Sequence, residues 1–135
     1  GESTLLSGVV ASSETAGSTV ETSLGRIRIA SVAAAGSQAT LAIRPEHLSL
    51  DPFLRSGGAG PPKAVQGATQ DGIAALGEAT VVETVFQGSF KRVLADSRRD
   101  PSIRFIARLP ANLAIRPGDG VVVSCKVEDI ILLTK

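Results

Sequence analysis

The stretch LAIRPEHLSL, Leu41–Leu50, changes phase in the middle. Leu41 and Ile43 are apolar at odd positions, whereas Leu48 and Leu50 are apolar at even ones. A strand alternates its side chains between two faces, and a slip of one residue turns every side chain over. The stretch therefore reads as a strand, a bulge or sharp bend at RPEH, and a second strand. Pro45 fits the bend: it sets its own φ and pushes Arg44 towards extended geometry.

The same defect returns 82 positions later. Gly36 then meets Gly118, and Ala39, Leu41 and Ile43 meet Val121, Val123 and Cys125. Arg44 meets Lys126, Glu46 meets Glu128, Leu48 meets Ile130 and Leu50 meets Leu132, with no gap from 36 to 50. A shared irregularity marks a duplication better than shared alternation, because period-two patterns match one another by chance. The literal repeat LAIRP at Leu113–Pro117 misleads. The shift of 72 that aligns it also sets Val9–Val10 on Val81–Val82, but leaves the last two strand-like pieces of the chain without partners. Moving from 72 to 82 requires about ten extra residues in the second copy, which DSRRDP at 96–101 and PANLAIRPGDG at 110–120 can absorb.

Outward from this stretch, strand signals dominate. SIRFIARLP alternates Ile103, Phe105, Ala107 and Leu109 against Arg104 and Arg108, with Ile106 the one exception. GRIRIA sets Ile27 and Ile29 against Arg26 and Arg28. TVVETVF, FKRVLAD, VVVSC and DIILL are short and rich in β-branched or large apolar residues. Helix signals are confined to one turn in TQDGIAALG, with Asp71 as its cap, and one in PANLA. The expectation is an all-β domain of about eight to ten short strands, built as two intertwined OB-like half-barrels sharing a core. The first half covers 1–50 and the second 73–135. The Gly/Pro-rich stretch 51–72 reads as a linker or excursion.

Composition narrows the function classes. The 135 residues carry a net charge of +1, so no bulk field draws nucleic acid or a membrane surface. The aromatics are four Phe, too few for a base-stacking platform. No apolar run approaches the roughly 20 residues of a spanning helix. The chain begins with Gly and contains no Met, which points to a piece of a longer chain. A single Cys excludes an internal disulfide and fits a reducing compartment.

Few residues invite chemistry. His47 and Cys125 are single of their kind and far apart in sequence, so neither a metal cluster nor a Cys–His pair is expected. Cys125 reads as a small core residue. SGGAGPPK lacks the spacing of a phosphate-binding loop and reads as a linker. Lys91, Arg92, Arg98 and Arg99, interleaved with Asp96 and Asp100, read as a solvated loop. The bend remains the most distinctive feature. Arg44, Pro45, Glu46 and His47 form either a surface turn whose charges satisfy each other, or a patch that contacts a partner or a small anion. Lys126 and Glu128 are their counterparts in the second copy.

These segments, in order, resemble a known family. GESTLLSGVV looks like its first strand, LAIRPEHLSL matches its R-P-E signature, VFQGSFKRVLAD is similar to its F-x-G-x-x-x-R-V strand pair, and RPGDGVVVSCKVEDIILL resembles its closing P-G-D turn and last strands. The family is the C-terminal TOBE (transport-associated OB) region of bacterial ABC importer ATP-binding subunits, most similar to those of the polyamine and ferric-iron class. The resemblance implies an OB-like or MOP-like barrel that works as a non-catalytic regulatory and dimerisation domain. It implies no cofactor within this chain, with ATP and Mg bound by the parent ATPase. The implied partners are a second copy, the nucleotide-binding domain of the same parent chain and the permease subunits, at the cytoplasmic side of the inner membrane, without membrane insertion or nucleic acid. Arg44, Pro45 and Glu46 would form a bend and an interface. The alternative is a free-standing oxyanion-binding protein, molybdate-like in ligand, on the same fold.

Overall fold

The computed structural model describes residues 3–52, 69–70 and 72–133. Eleven strands lie among them: β1 (Thr4–Glu14), β2 (Gly17–Thr22), β3 (Gly25–Ile29), β4 (Gln38–Ile43), β5 (Ser49–Pro52), β6 (Thr69–Gln70), β7 (Ile73–Gln87), β8 (Phe90–Ser97), β9 (Arg104–Pro110), β10 (Gly120–Lys126) and β11 (Ile131–Leu133). One sheet has the order β11-β4-β1-β2-β3. The other has the order β5-β10-β7-β8-β9, with β6 also paired to β7. All the pairings are antiparallel. The all-β, OB-like reading of the sequence stands.

The bend at RPEH is a 3-10 turn, Pro45–His47, and its counterpart is a 3-10 turn at Val127–Asp129. Pro45 and Val127 are 82 positions apart, as the phase slip requires. Each turn is closed by the same bond: Leu48 N–H donates to Pro45 C=O, and Ile130 N–H to Val127 C=O. The duplication extends to the first strands. Val10 N–H donates to Ser37 C=O at 2.9 Å and accepts from Gly36 N–H at 2.7 Å. Val81 repeats this with Asp119 and Gly118, again at 2.9 and 2.7 Å. Both first strands bulge just after that residue, between Val10 and Ser12 and between Val81 and Glu83. Val10 therefore answers to Val81, one residue away from the match that the literal LAIRP alignment gives.

Val20 corresponds to Ala95 and Ile27 to Phe105 across the paired registers. The offset between copies thus grows by four residues in the β7–β8 hairpin, three in the β8–β9 turn and four before Gly118. The hairpin's share was not foreseen. Neither short helix forms. Thr69–Gln70 pairs with Ile73–Ala74, and β7 then runs between β8 and β10, whose ladders override the helix preference of its alanines. PANLA makes a single turn, Leu113 N–H to Pro110 C=O. Of the stretch 51–72, residues 53–68 and 71 lie outside the described residues. Its flanks are the end of β5 and the short β6.

The halves exchange their last strands. β5 leaves the first half to pair with β10, and β11 leaves the second to pair with β4. One core joins both sheets, around Leu6, Ile27, Ile29, Leu41, Ile43, Leu76 and Phe105, each at most 1% exposed. The equivalent turns of the two halves are clasped: Ser23 Oγ donates to Asp100 at 2.5 Å and Arg99 Nη1 to Leu24 C=O at 3.4 Å. Hydrogen bonds from Ser102 and Ser23 hold the Asp100 carboxyl below its usual range. Among the described residues no helix is long and apolar enough to cross a membrane.

Candidate functional site

The Pro45–His47 turn of the first half packs on β9 of the second. Strand exchange brings the start of β1 and the exchanged β11 to the same place. Ile106 N–H on β9 donates to the buried Thr4 Oγ1 at 3.0 Å, tying the sheets together there. Between these elements opens a cleft of about 690 Å³. Its polar wall carries Arg44 and Glu46 from the turn, Arg92 from β8 and Arg108 from β9. Its apolar wall carries Leu5, Ile106, Ile131 and Leu133, with Phe90 at the mouth of the β7–β8 hairpin.

Strand register explains the concentration of charge. Arg92 and Arg108 are directly opposite one another across β8 and β9, an arrangement of like charges that costs stability unless something offsets it. The Arg108 guanidinium lies 3.8 Å from the centroid of the Phe90 ring, which fixes its direction. Arg44 and Arg108 against the one carboxylate of Glu46 make this end of the cleft positive, and its partly apolar surroundings reduce screening of that charge.

The sequence-level candidates separate. Arg44, Pro45 and Glu46 line the cleft. Arg44 and Lys126 hold the same place in the two copies, each before its 3-10 turn, with φ, ψ of −73°, 148° and −74°, 140°. Lys126 and Glu128 belong to the other turn, which packs towards β3, and do not line this cleft. His47 does not line this cleft: its Nδ1 lies 4.0 Å from Asp129 Oδ1, a contact between equivalent positions of the two copies. That Nδ1 is buried and has no hydrogen-bond partner among the described residues.

Residues 91–97 belong to β8 and are not a solvated loop, whereas Arg98 and Arg99 are exposed in the β8–β9 turn, as that reading has it. Lys91 is 5% exposed, donates from Nζ to Leu113 C=O at 2.6 Å and stands 4.8 Å from the Phe86 ring centre. Arg98 pairs with Glu78 at 3.3 Å. Arg104 pairs with Asp96 at 2.7 Å, which holds that carboxyl below its usual range. Arg92, Arg108 and the apolar wall were missed from sequence. One signal did mark them: Ile106, the exception to alternation in SIRFIARLP, is an apolar residue at an outward position and lines the cleft. No group of His, Cys, Asp and Glu among the described residues could hold a metal ion.

The family model described as "TOBE domain" matches residues 41–133. Among solved structures, the chain is similar to the cytoplasmic molybdate-binding protein ModG, in a crystal form with molybdate bound. The TM-score is 0.68 at 14% sequence identity, covering 95% of this chain and 93% of that one. At this identity the likeness shows the fold. A search of curated proteins found no match. With the family model spanning more than half its length, from the strand before the R-P-E bend to the last exchanged strand, the chain belongs to the TOBE domain family.

Proposed function

We propose that this chain is a non-catalytic anion-binding domain, of the oxyanion class, whose anion sits against Arg44 and Arg108. The observation that carries the reading is the positive wall: Arg44 beside a turn of one half and Arg108, held by the Phe90 ring, on a strand of the other, around one cleft. Guanidinium groups recognise oxyanions by paired, charge-assisted hydrogen bonds. The likeness of the fold to a molybdate-binding protein supports molybdate as the first ligand to try. Calorimetric titration of the chain with molybdate, tungstate and sulfate tests the proposal. Saturable binding is expected, weakened about tenfold or more in Arg44→Ala/Arg108→Ala, the loss of a charged hydrogen bond. Binding of none of these anions, or binding untouched by the double substitution, overturns it.

A second reading is the regulatory and dimerisation domain of an ABC importer ATP-binding subunit, of the polyamine or ferric-iron class. The match to the TOBE family over 41–133 favours it. In that setting the chain works at the cytoplasmic face of a transporter, joined to its nucleotide-binding domain, paired with a second copy and beneath the permease subunits. The two readings are compatible, since an anion bound between the halves is a natural effector.

A further inference from the structure

We propose that the anion this cleft selects carries an apolar body, as in a medium-chain carboxylate, and is not a bare tetrahedral oxyanion. The inference rests on the anion-binding reading above and names the class of ligand for the same site. Size is the first argument. The cleft is about 690 Å³, within the ~300–1,000 Å³ of small-molecule sites. A tetrahedral oxyanion has the bulk of a few waters, on the order of 100 Å³, and would occupy only the arginine end.

The duplication supplies the second argument, because it places an internal control within the same chain. Through the strand registers, Leu5 answers to Ala75, Ile106 to Arg28, Ile131 to Ser49 and Leu133 to Asp51. All four wall positions are apolar in one copy, and small, polar or charged in the other. The strand order and pairing repeat in both copies, apart from a register shift of β7 against β10 beside Ala75 that β1 lacks against β4, so the topology alone does not require apolar residues there. Leu5, Ile131 and Leu133 are nonetheless 57%, 38% and 44% exposed. Exposed apolar residues gathered on one side of one cleft mark a binding surface, whereas scattered ones do not.

Charge names the occupant. The apolar wall ends against Arg44 and Arg108, so the cleft is amphipathic along its length. A carboxylate or phosphate head would meet the guanidinium groups while an alkyl or aryl body lay over Leu5, Ile131 and Leu133. The β7–β8 hairpin extension, which the first copy lacks, brings Phe90 to the same site. Arg44 keeps a positive counterpart, Lys126, in the other copy, whereas Arg108 answers to Ala30 and is, like the apolar wall, peculiar to this one.

The test is a titration of the chain with acetate, hexanoate and octanoate, and with octanol and molybdate for comparison. Affinity should rise roughly fourfold per methylene buried, and octanoate should bind more tightly than octanol and molybdate. Ile131→Ser/Leu133→Ser, which makes both exposed wall positions polar without adding a charge, should remove the chain-length dependence. Leu5→Ala should halve that dependence or better, and serves if the double variant does not fold. Binding of all the anions with no dependence on chain length overturns this inference and leaves the anion-binding reading intact. Binding of no anion at all overturns both. Length dependence that survives in the variants places the ligand elsewhere and overturns the inference. So does a dimer, seen by sedimentation, that the double variant dissolves while octanoate fails to bind.

Discussion

Cys125 occupies in the second copy the place that Ile43 occupies in the first, at the end of the strand before the bend. Both are buried, at 3% and 0% exposed. Burial, with the nearby Asp129 carboxylate, pushes the thiol up to about 12. The thiol form, not the thiolate, is therefore the stable one at neutral pH, and it is the thiolate that reacts. Iodoacetamide at about pH 8 should leave the folded chain unlabelled over a period in which the denatured chain is alkylated completely, as read by intact mass. Rapid labelling of the folded chain would contradict the burial described here. The sequence-level reading of this residue as a small core hydrophobe needed only its parity within VVVSC. The role of Arg108 was different. Its outward parity was legible, but the Phe90 ring that aims it and the Arg92 side chain opposite it come from register, which alternation alone does not specify.

The R-P-E bend shows how one element acquires two jobs. Its 3-10 turn corrects the phase between β4 and β5, and the same turn projects Arg44 and Glu46 beside β9. Its upstream strand is introduced by a glycine in the left-handed region, Gly36 at φ 88°, matched by Gly118 at φ 94°. Each donates its N–H to the residue before the bulge of the first strand, so each fixes where that bulge falls. An added Cβ meets nothing within 4 Å at either position, so the backbone conformation alone sets the cost. Gly36→Ala and Gly118→Ala should each destabilise by about 1–2 kcal/mol, similarly in the two copies, as measured by urea denaturation. A large difference between them would show that the two bulges are not equivalent. The element that sequence reasoning misjudged is the β7–β8 hairpin. Its four extra residues were assigned to the later turns, because VFQGSF has the same strand character whether it extends a ladder or begins a new one.

At the scale of the molecule, the exchange of β5 and β11 makes each half incomplete without the other. Among the described residues β5 has no ladder except with β10, and β11 none except with β4. The core runs through both sheets without a boundary. Polypeptides 1–60 and 61–135 should each lack cooperative thermal unfolding by circular dichroism. Mixed in equal amounts, they should recover the strand signal and a single transition. Independent folding of the first piece would mean that its sheet is stable with β4 as an open edge, against the pairing seen here. The cleft is a product of the same exchange, since its walls come from the start of the first half, the bend, the strands of the second half and the last strand of the chain.

What the amino-acid sequence determined by itself is the all-β class, the duplication and the bend. Each is written in the parity of neighbouring side chains, and parity is a local property that a strand cannot disguise. The correct offset of 82 followed because a phase slip is rarer than a match of alternating residues. What only the tertiary structure decided is which strands change partners and which side chains then share a space. Arg44 and Arg108 are 64 residues apart, and the wall of Leu5, Ile106 and Leu133 spans nearly the whole chain. Those meetings depend on register and crossover between distant strands, whose energy comes from the summed burial of one common core and is assigned to no short stretch of sequence.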